Sequence, residues 1–425
     1  MRVLWFANTP CNADEYLNSE LKGSGGWLKA LDQVLQDKVE LNISFYSKID
    51  IKPFKYKNTY YYPIYTKRSV AKRMFDRITN FIVTDEHKHL YLDIINKVNP
   101  DIIHIHGTEN PFACIIPYTD IPVVLSIQGI VTVIHHKYCS GIEQDYLSVN
   151  NRTLMSLKKI VFPDNFGSNY RLFKKMRFRE EQNLKVAKNI IGRTDWDRRI
   201  TKIMSTNSSY YHSDEILRDS FYSNQWMPHF RDKLVIYTTC GNVYYKGFET
   251  LCMALRLLNN AGINCEWHVA GIGKEDLIVK VVRRKLKNNY PQKGMILAGN
   301  INEVELVKGL LEADIYVMAS HIDNSPNSLC EAMILGMPCV ATFVGGVGSL
   351  IIDKEEGLLI QDGDPWAMAG AIMELLRNNM ENAVNMGLNA RRKALKRHNI
   401  LKIKNDIVFI YEEIILNSQQ IKQND

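Results

Sequence analysis

Between Ala319 and Gly346 the chain reads ASHIDNSPNSLCEAMILGMPCVATFVGG. Two carboxylates, Asp323 and Glu331, stand either side of a polar loop, Asn324-Ser325-Pro326-Asn327-Ser328, that opens a helix. Oxygen-bearing residues and a proline just inside the start are signals of a helix N-terminus. Such an end offers unpaired backbone N–H groups and a partial positive charge, which suit a phosphate. With one acid before the helix and the other in its first turn, both can reach a ligand whose phosphates lie on those groups. Gly336 and Pro338 stop the helix, and Gly345-Gly346 end the strand that follows. An ordinary strand–loop–helix–strand unit with surface acids would read the same way, so the residues alone leave both interpretations open.

Other residues could join such a site. In Cys240-Gly241-Asn242-Val243-Tyr244-Tyr245-Lys246-Gly247, Gly241 permits a tight turn and Lys246 stands at a helix entrance. A compact ammonium there can meet a phosphate oxygen, and a solvated surface lysine is the bland alternative. Gly271-Ile272-Gly273 and Gly299-Asn300 follow apolar strands, but G-x-G by itself is often only a turn. His104 and His106 share one face of a strand. No third and fourth ligand stands at zinc spacing, so no metal site is expected. His104 reads as structural, and His106, just before Gly107, has the better claim to face a ligand. Gln128, in Ser126-Ile127-Gln128-Gly129, can hydrogen-bond a hydroxyl but cannot act as a base. Arg193, Asp195, Trp196 and Asp197 crowd one loop, which fits a structural salt bridge or a substrate contact; His212, Glu215 and Arg218 carry the same ambiguity.

These residues need a scaffold. A chain of 425 residues is too long for one core and implies two domains. No apolar run reaches the ~18 residues of a membrane span, and MRVLWFANTP reads as a strand and loop rather than a signal peptide. The eight scattered cysteines include no C-x-x-C pair and read as buried thiols of a reducing compartment. A formal charge of +7 fits anionic substrates or an anionic membrane face and does not by itself argue for nucleic acid.

Apolar strands at Val3–Phe6, Leu41–Tyr46, Ile102–Ile105, Val123–Ile127 and Ile190–Arg193 alternate with helical stretches, Ile190–Arg193 being the last strand of the first half. Residues 201–230 are polar and poorly periodic and read as a linker. The pattern restarts with Leu234–Thr239, a helix from Gly247 to Asn259, and strands Glu266–Ala270, Met295–Ala298, Asp314–Met318 and Cys339–Thr342. The fold class is thus α/β, with two Rossmann-like doubly wound parallel-sheet domains. The expected boundaries are 1–200, linker 201–230, 231–400, and a C-terminal helix in 401–425 with a frayed tail from Ser418. Two basic stretches, Lys67 to Arg77 and Arg171 to Arg179, read either as solvated faces or as surfaces for an anionic membrane.

The segment around Asp323 and Glu331 closely resembles the donor-sugar motif of retaining GT-B glycosyltransferases of family 4 (glycosyl transferases group 1), of the bacterial polysaccharide-biosynthesis type. Glu331 matches the second acid of that motif, and Asp323 replaces the first glutamate with a chain one methylene shorter. The resemblance implies two domains facing a cleft, with the acceptor bound by the first, a nucleotide sugar by the second, and the C-terminal helix crossing back. It implies that Lys246, Gly241 and Asn242 lie at the diphosphate, with Asn242 where the family usually has arginine. Gly25 and Gly26, in the run Gly23–Gly26, correspond to a glycine-rich loop near the donor phosphates; a flexible loop capping the next helix is the alternative. Gly271, Gly299 and Ile301 would surround the base, and Glu331 would accept from the ribose hydroxyls.

Asn324, Ser325, Pro326, Asn327 and Ser328 would complete the donor site, and Asp323, Lys246 and His106 would be the catalytic group. Gln128, where the family carries histidine, and Arg193 would lie on the acceptor side. The implied activity is transfer of a hexose-type sugar from a nucleoside diphosphate donor, UDP favoured, to a saccharide or lipid-linked saccharide. It would proceed with retention and without metal or cofactor. The protein is expected in the cytoplasm, peripheral on the inner face of the plasma membrane if a basic stretch binds lipid, with no nucleic-acid partner. The substitutions at Asp323, Asn242 and Gln128 keep two alternatives open: a non-catalytic nucleotide-sugar-binding partner and a UDP-sugar 2-epimerase.

Overall fold

The strand-forming runs rich in Val, Ile, Leu and aromatic residues assemble into two sheets. The structure, a computed structural model, describes residues 1–17, 26–65, 87–148, 166–229 and 231–424. Gly23, Ser24 and Gly25 and the basic stretch from Lys67 to Arg77 lie outside the described residues. The chain divides into one unit of Met1–Thr132, Leu172–Arg218 and His398–Asp425, and another of Val133–Arg171 and Asp219–Arg397.

The first unit holds β1 (Arg2–Ala7), β2 (Glu40–Ser47), β3 (Phe54–Tyr56), β4 (Thr59–Tyr65), β5 (Ile102–His106), β6 (Val123–Ser126), β7 (Asn189–Gly192) and β8 (Ser209–His212). Their order is β3-β4-β2-β1-β5-β6-β7-β8, with only β3–β4 antiparallel. Val3 lies level with Leu41 on one side and Ile102 on the other, so β1 and β5 flank the point where strand order reverses. The helix Ile400–Asn424 buries Ile403, Ile407, Ile410, Tyr411 and Ile414, a stripe of helical period. The Tyr411 hydroxyl accepts from Trp5 Nε1 at 3.0 Å and bonds His104 Nδ1 at 2.6 Å, pinning this helix to β1 and β5.

The second unit holds β9 (Leu234–Thr239), β10 (Cys265–Ala270), β11 (Met295–Gly299), β12 (Ile315–Met318), β13 (Cys339–Thr342) and β14 (Leu358–Ile360), in the order β11-β10-β9-β12-β13-β14. Every pairing is parallel. Numbered within the unit this is 3-2-1-4-5-6, the dinucleotide-binding arrangement, with its switch point between β9 and β12. β12 and β13 are buried along their whole length, as expected of parallel strands covered on both faces.

Two expectations change, and one element was not anticipated. Ile190–Arg193 is not the last strand of its sheet: β8 lies beyond it, inside the stretch read as a linker. Its sequence, Ser-Tyr-Tyr-His, lacks an apolar run because an edge strand is only partly covered. The hairpin β3–β4 escaped notice because Pro63 sits within a tyrosine-rich strand. The C-terminal helix continues through Ser418 to Asn424 instead of fraying.

Candidate functional site

At the switch point of the second unit, the loops leaving β9 and β12 touch. Gly247 adopts φ +72°, and a Cβ there would lie 1.9 Å from the Ala319 carbonyl oxygen, so only glycine allows this approach. The His321 N–H donates to the Tyr245 carbonyl at 2.8 Å. This lacing brings Lys246 Nζ to 2.5 Å from Asp323 Oδ2, and Ser320 Oγ donates to the same oxygen at 3.3 Å. Burial opposes the charge on Lys246, but Asp323 outweighs it and raises the ammonium's pKa. The two side chains remain 28% and 17% exposed, so the pair is within reach of a ligand. Gly345 closes the loop from the other side: its Cβ would lie 1.8 Å from the Asp323 carbonyl oxygen, to which the Gly346 N–H donates at 3.0 Å.

The helix after Asp323 spans Asn327–Leu335. Pro326 occupies the N-cap position, not the first turn, and makes no side-chain capping bond. The helix therefore begins at Asn327, within the polar loop. Glu331 is consequently a full turn in rather than in the first turn, on the face of Asn327 four residues before it. It is 6% exposed, and Asn324 and Ser325 are also buried. Side chains on a helix lean toward its N-terminus, so Glu331 is directed back toward the Pro326 end.

The neighbouring loops of this sheet are stitched together. The Gly271 N–H donates to the Gly299 carbonyl at 2.7 Å, and the Gly299 N–H donates to the Ile272 carbonyl at 2.9 Å. Ile301 is half-buried just beyond. Gly241 and Asn242 are exposed. Asn242 Oδ1 accepts from the Ile278 N–H at 3.2 Å, at the start of the helix Leu277–Leu286. That bond leaves the amide NH2 as the part of Asn242 able to face a ligand.

In the first unit the picture differs from expectation. His106, read as facing a ligand, is fully buried at the end of β5, edge-on to Trp5 and Trp27 with ring centres 4.6 and 5.6 Å away. Its ring centre lies 3.8 Å from that of His104. Burial drives the pKa of His106 well below the ordinary value and that of His104 down to about 3. The space beside them is about 20 Å³, room for one water and not for a sugar. Arg193 is buried against Glu215 at 2.5 Å and stands 5.3 Å from the centre of the Trp27 ring. Its neighbours form a capping box, with the Thr194 hydroxyl and Asp197 carboxylate capping the helix Asp195–Met204.

Gln128 is half-buried before the short helix Val131–Lys137. The Val131 and Thr132 N–H groups donate to the Glu180 carboxylate at 2.9 and 2.7 Å, so the chain supplies its own anion at that helix start. Sequence reasoning missed Glu180; its signal was an acid within a strongly basic helical stretch. Gly26 opens the helix Gly26–Leu35 against the Arg218 side chain, which a Cβ would approach to 2.9 Å. The structure thus brings Lys246 and Asp323 together beside the Asn327–Leu335 helix start, and places His106 and Arg193 in a packed interior.

Comparison with known proteins bears on this geometry. The family model of glycosyl transferases group 1 matches residues 233–378. The putative teichuronic acid biosynthesis glycosyltransferase TuaC of Bacillus subtilis (strain 168) is 37% identical over 86 residues, 20% of this chain and 22% of that protein. The UDP-Gal:alpha-D-GlcNAc-diphosphoundecaprenol alpha-1,3-galactosyltransferase of Escherichia coli is 26% identical over 137 residues, 31% of this chain and 34% of that protein. The matches therefore span only a fifth to a third of these two relatives. Among solved structures, sucrose-phosphate synthase from Thermosynechococcus elongatus aligns with a TM-score of 0.74 at 14% identity, covering 98% of this chain and 100% of that one. Anabaena HepE in complex with UDP and glucose aligns with a TM-score of 0.64 at 12% identity, covering 97% and 99%. The fold is GT-B, and residues 233–378 of the second unit resemble the glycosyl transferases group 1 family.

Proposed function

We propose that the protein is a retaining glycosyltransferase that moves a hexose-type sugar from a nucleoside diphosphate donor to a saccharide or lipid-linked saccharide in polysaccharide biosynthesis. One observation carries the reading. At the switch point of a 3-2-1-4-5-6 sheet, where such folds take nucleotides, a lysine and a carboxylate meet beside a helix start whose N-cap residue, Pro326, makes no side-chain capping bond. The pair holds both groups in place without leaving either charge uncompensated. An arriving diphosphate takes over Lys246 and the N–H groups of the Asn327–Leu335 helix, which frees Asp323 to accept from donor-sugar hydroxyls.

Charge developing on the leaving diphosphate is stabilised by groups already aimed at it, the dominant source of rate enhancement in this kind of catalysis. Glu331 accepts from the ribose hydroxyls, since one carboxylate can receive both groups of a cis-diol. Backbone groups near Gly271, Gly299 and Ile301 border the base. UDP is the favoured nucleotide, in keeping with the HepE complex and the UDP-Gal donor in the Escherichia coli relative's name. The protein acts in the cytoplasm. Among the described residues no helix is long and apolar enough to cross a membrane. The exposed Leu172 and Phe178 of the basic helix Phe166–Val186 offer contact with an anionic inner face.

Thermal-shift screening against UDP-, GDP- and other nucleotide-linked sugars tests the assignment, because a ligand that binds only the folded state raises apparent stability. A selective rise with UDP-hexoses is expected; a flat response across the panel would refute it. Turnover is expected to survive chelation by EDTA, and complete loss restored by a divalent cation would contradict the charge-stabilisation scheme.

A further inference from the structure

Two residues before Asp323, a buried cluster remains that the proposed chemistry does not use. His321 is 2% exposed, with Nε2 at 2.6 Å from Glu249 Oε1 and Nδ1 at 3.3 Å from Asp362 Oδ2. The three residues come from three elements. His321 lies in the loop after β12, Glu249 in the first turn of the helix Phe248–Asn260, and Asp362 in the turn after β14. A fourth segment seals them. Gly141 packs so closely that a Cβ there would fall 2.1 Å from Glu249 Oε1 and 2.4 Å from His321 Nε2. The nearby Tyr244 hydroxyl donates to the Tyr146 carbonyl at 2.9 Å, so the same segment also holds the Lys246 loop.

A carboxylate only accepts hydrogen bonds, and a neutral imidazole donates only one. Satisfying both acids therefore calls for both ring nitrogens to carry protons. We propose that His321 is a positioning residue of the donor site: as an imidazolium bridging Glu249 and Asp362, it holds the Asp323 loop against the loop and helix start that carry Lys246. The inference rests on the glycosyl-transfer reading of that site. The His321 backbone already bonds Tyr245, and its ring anchors the loop to the first helical turn after Lys246. Releasing the ring frees the Asp323 backbone to shift relative to Lys246, and a shift of about 1 Å at such a site costs on the order of 100-fold in rate.

Among the described residues, the charged and titratable groups near the ring include Glu249 and Asp362 in contact with it, Cys252 and Cys240 near Glu249, Tyr245 on the loop its backbone bonds, and the Lys246–Asp323 pair beyond. Both cysteines have pKa values raised by burial, so they stay neutral through the neutral range. Burial disfavours the imidazolium, but the two acids outweigh it and raise the His321 pKa. Turnover and UDP affinity are then highest below that ionisation and fall as pH rises through it.

The test measures UDP affinity by calorimetry and sugar-transfer or donor-hydrolysis rates from pH 5.5 to 9 for wild type, His321→Asn and Asp362→Asn. Asp362 retains partial exposure, so its variant guards against a folding failure at His321. The proposal expects both variants to lose at least about tenfold in kcat and to lose or displace the alkaline fall in the pH profile. If wild type binds UDP and turns over but both variants keep its kcat and pH profile, His321 does not position the site and the proposal alone fails. If wild type binds no nucleoside diphosphate at any pH, the donor-site reading fails and takes the proposal with it.

Discussion

Lys246 and Asp323 are 77 positions apart in sequence yet form one ion pair, and their consequences separate activity from stability. Lys246→Ala removes a partly buried pair, so folding stability should drop by about 1 kcal/mol or less. Turnover should fall on the order of 100-fold or more, because the charge is used on the leaving group. Urea denaturation alongside steady-state rates makes that comparison, and wild-type turnover would remove the lysine from the mechanism. Glu331→Ala should weaken UDP binding by about 1–3 kcal/mol, as expected for lost hydrogen bonds to a charged group; unchanged affinity in calorimetry would contradict the ribose role. The loop and helix start around Asp323 were legible because their acids, proline and glycines are close in sequence. That Lys246 spends its charge on Asp323, that His106 is sealed between tryptophans and that Arg193 is matched by Glu215 were not. Each depends on a partner distant in sequence, which local pattern does not carry.

At the scale of elements, strands β9, β12 and β13 were readable because buried parallel strands are rich in continuous apolar residues, and β10, Cys-Glu-Trp-His-Val-Ala, by its alternation of buried and half-buried positions. The edge strand β8 and the short β14 were not, because partial cover and brevity remove that signal. The contact between the β9 and β12 loops is the element-level device, and Gly247 is its tightest point. Gly247→Ala combines a left-handed backbone with a Cβ against the Ala319 carbonyl. It should destabilise the protein by about 1–3 kcal/mol or more. Because the strain sits between the loops that carry Lys246 and Asp323, UDP affinity should fall with it if they hold the donor as proposed. Thermal melts with and without UDP check both, and a variant with unchanged melting and affinity would show that the loops tolerate separation.

For the whole molecule, buried histidines give the two units opposite responses to pH. His104 and His106 have folded pKa values below the ordinary one, so their neutral burial stabilises fully above pH ~6.5. That contribution is lost as pH falls toward the folded values, at up to about 1.4 kcal/mol per histidine per pH unit. The His321 pKa is raised, so its contribution is complete below pH ~6.5 and is lost as pH rises through the folded value. Hydrogen exchange read separately in β1 and β12 should show protection in β1 falling on acidification and protection in β12 falling on alkalinisation; parallel responses would contradict the assignment. The two-domain α/β plan was visible in the alternation of strands and helices, whereas the splicing of residues 133–148 into the second unit was not, since it follows from packing alone. The most direct measurement is a structure determined with UDP bound. The account predicts the diphosphate within hydrogen-bonding distance of Lys246 Nζ and the backbone N–H groups at the start of Asn327–Leu335, with the ribose at Glu331. UDP bound elsewhere, with the Lys246–Asp323 pair intact and that helix start unoccupied, would contradict it.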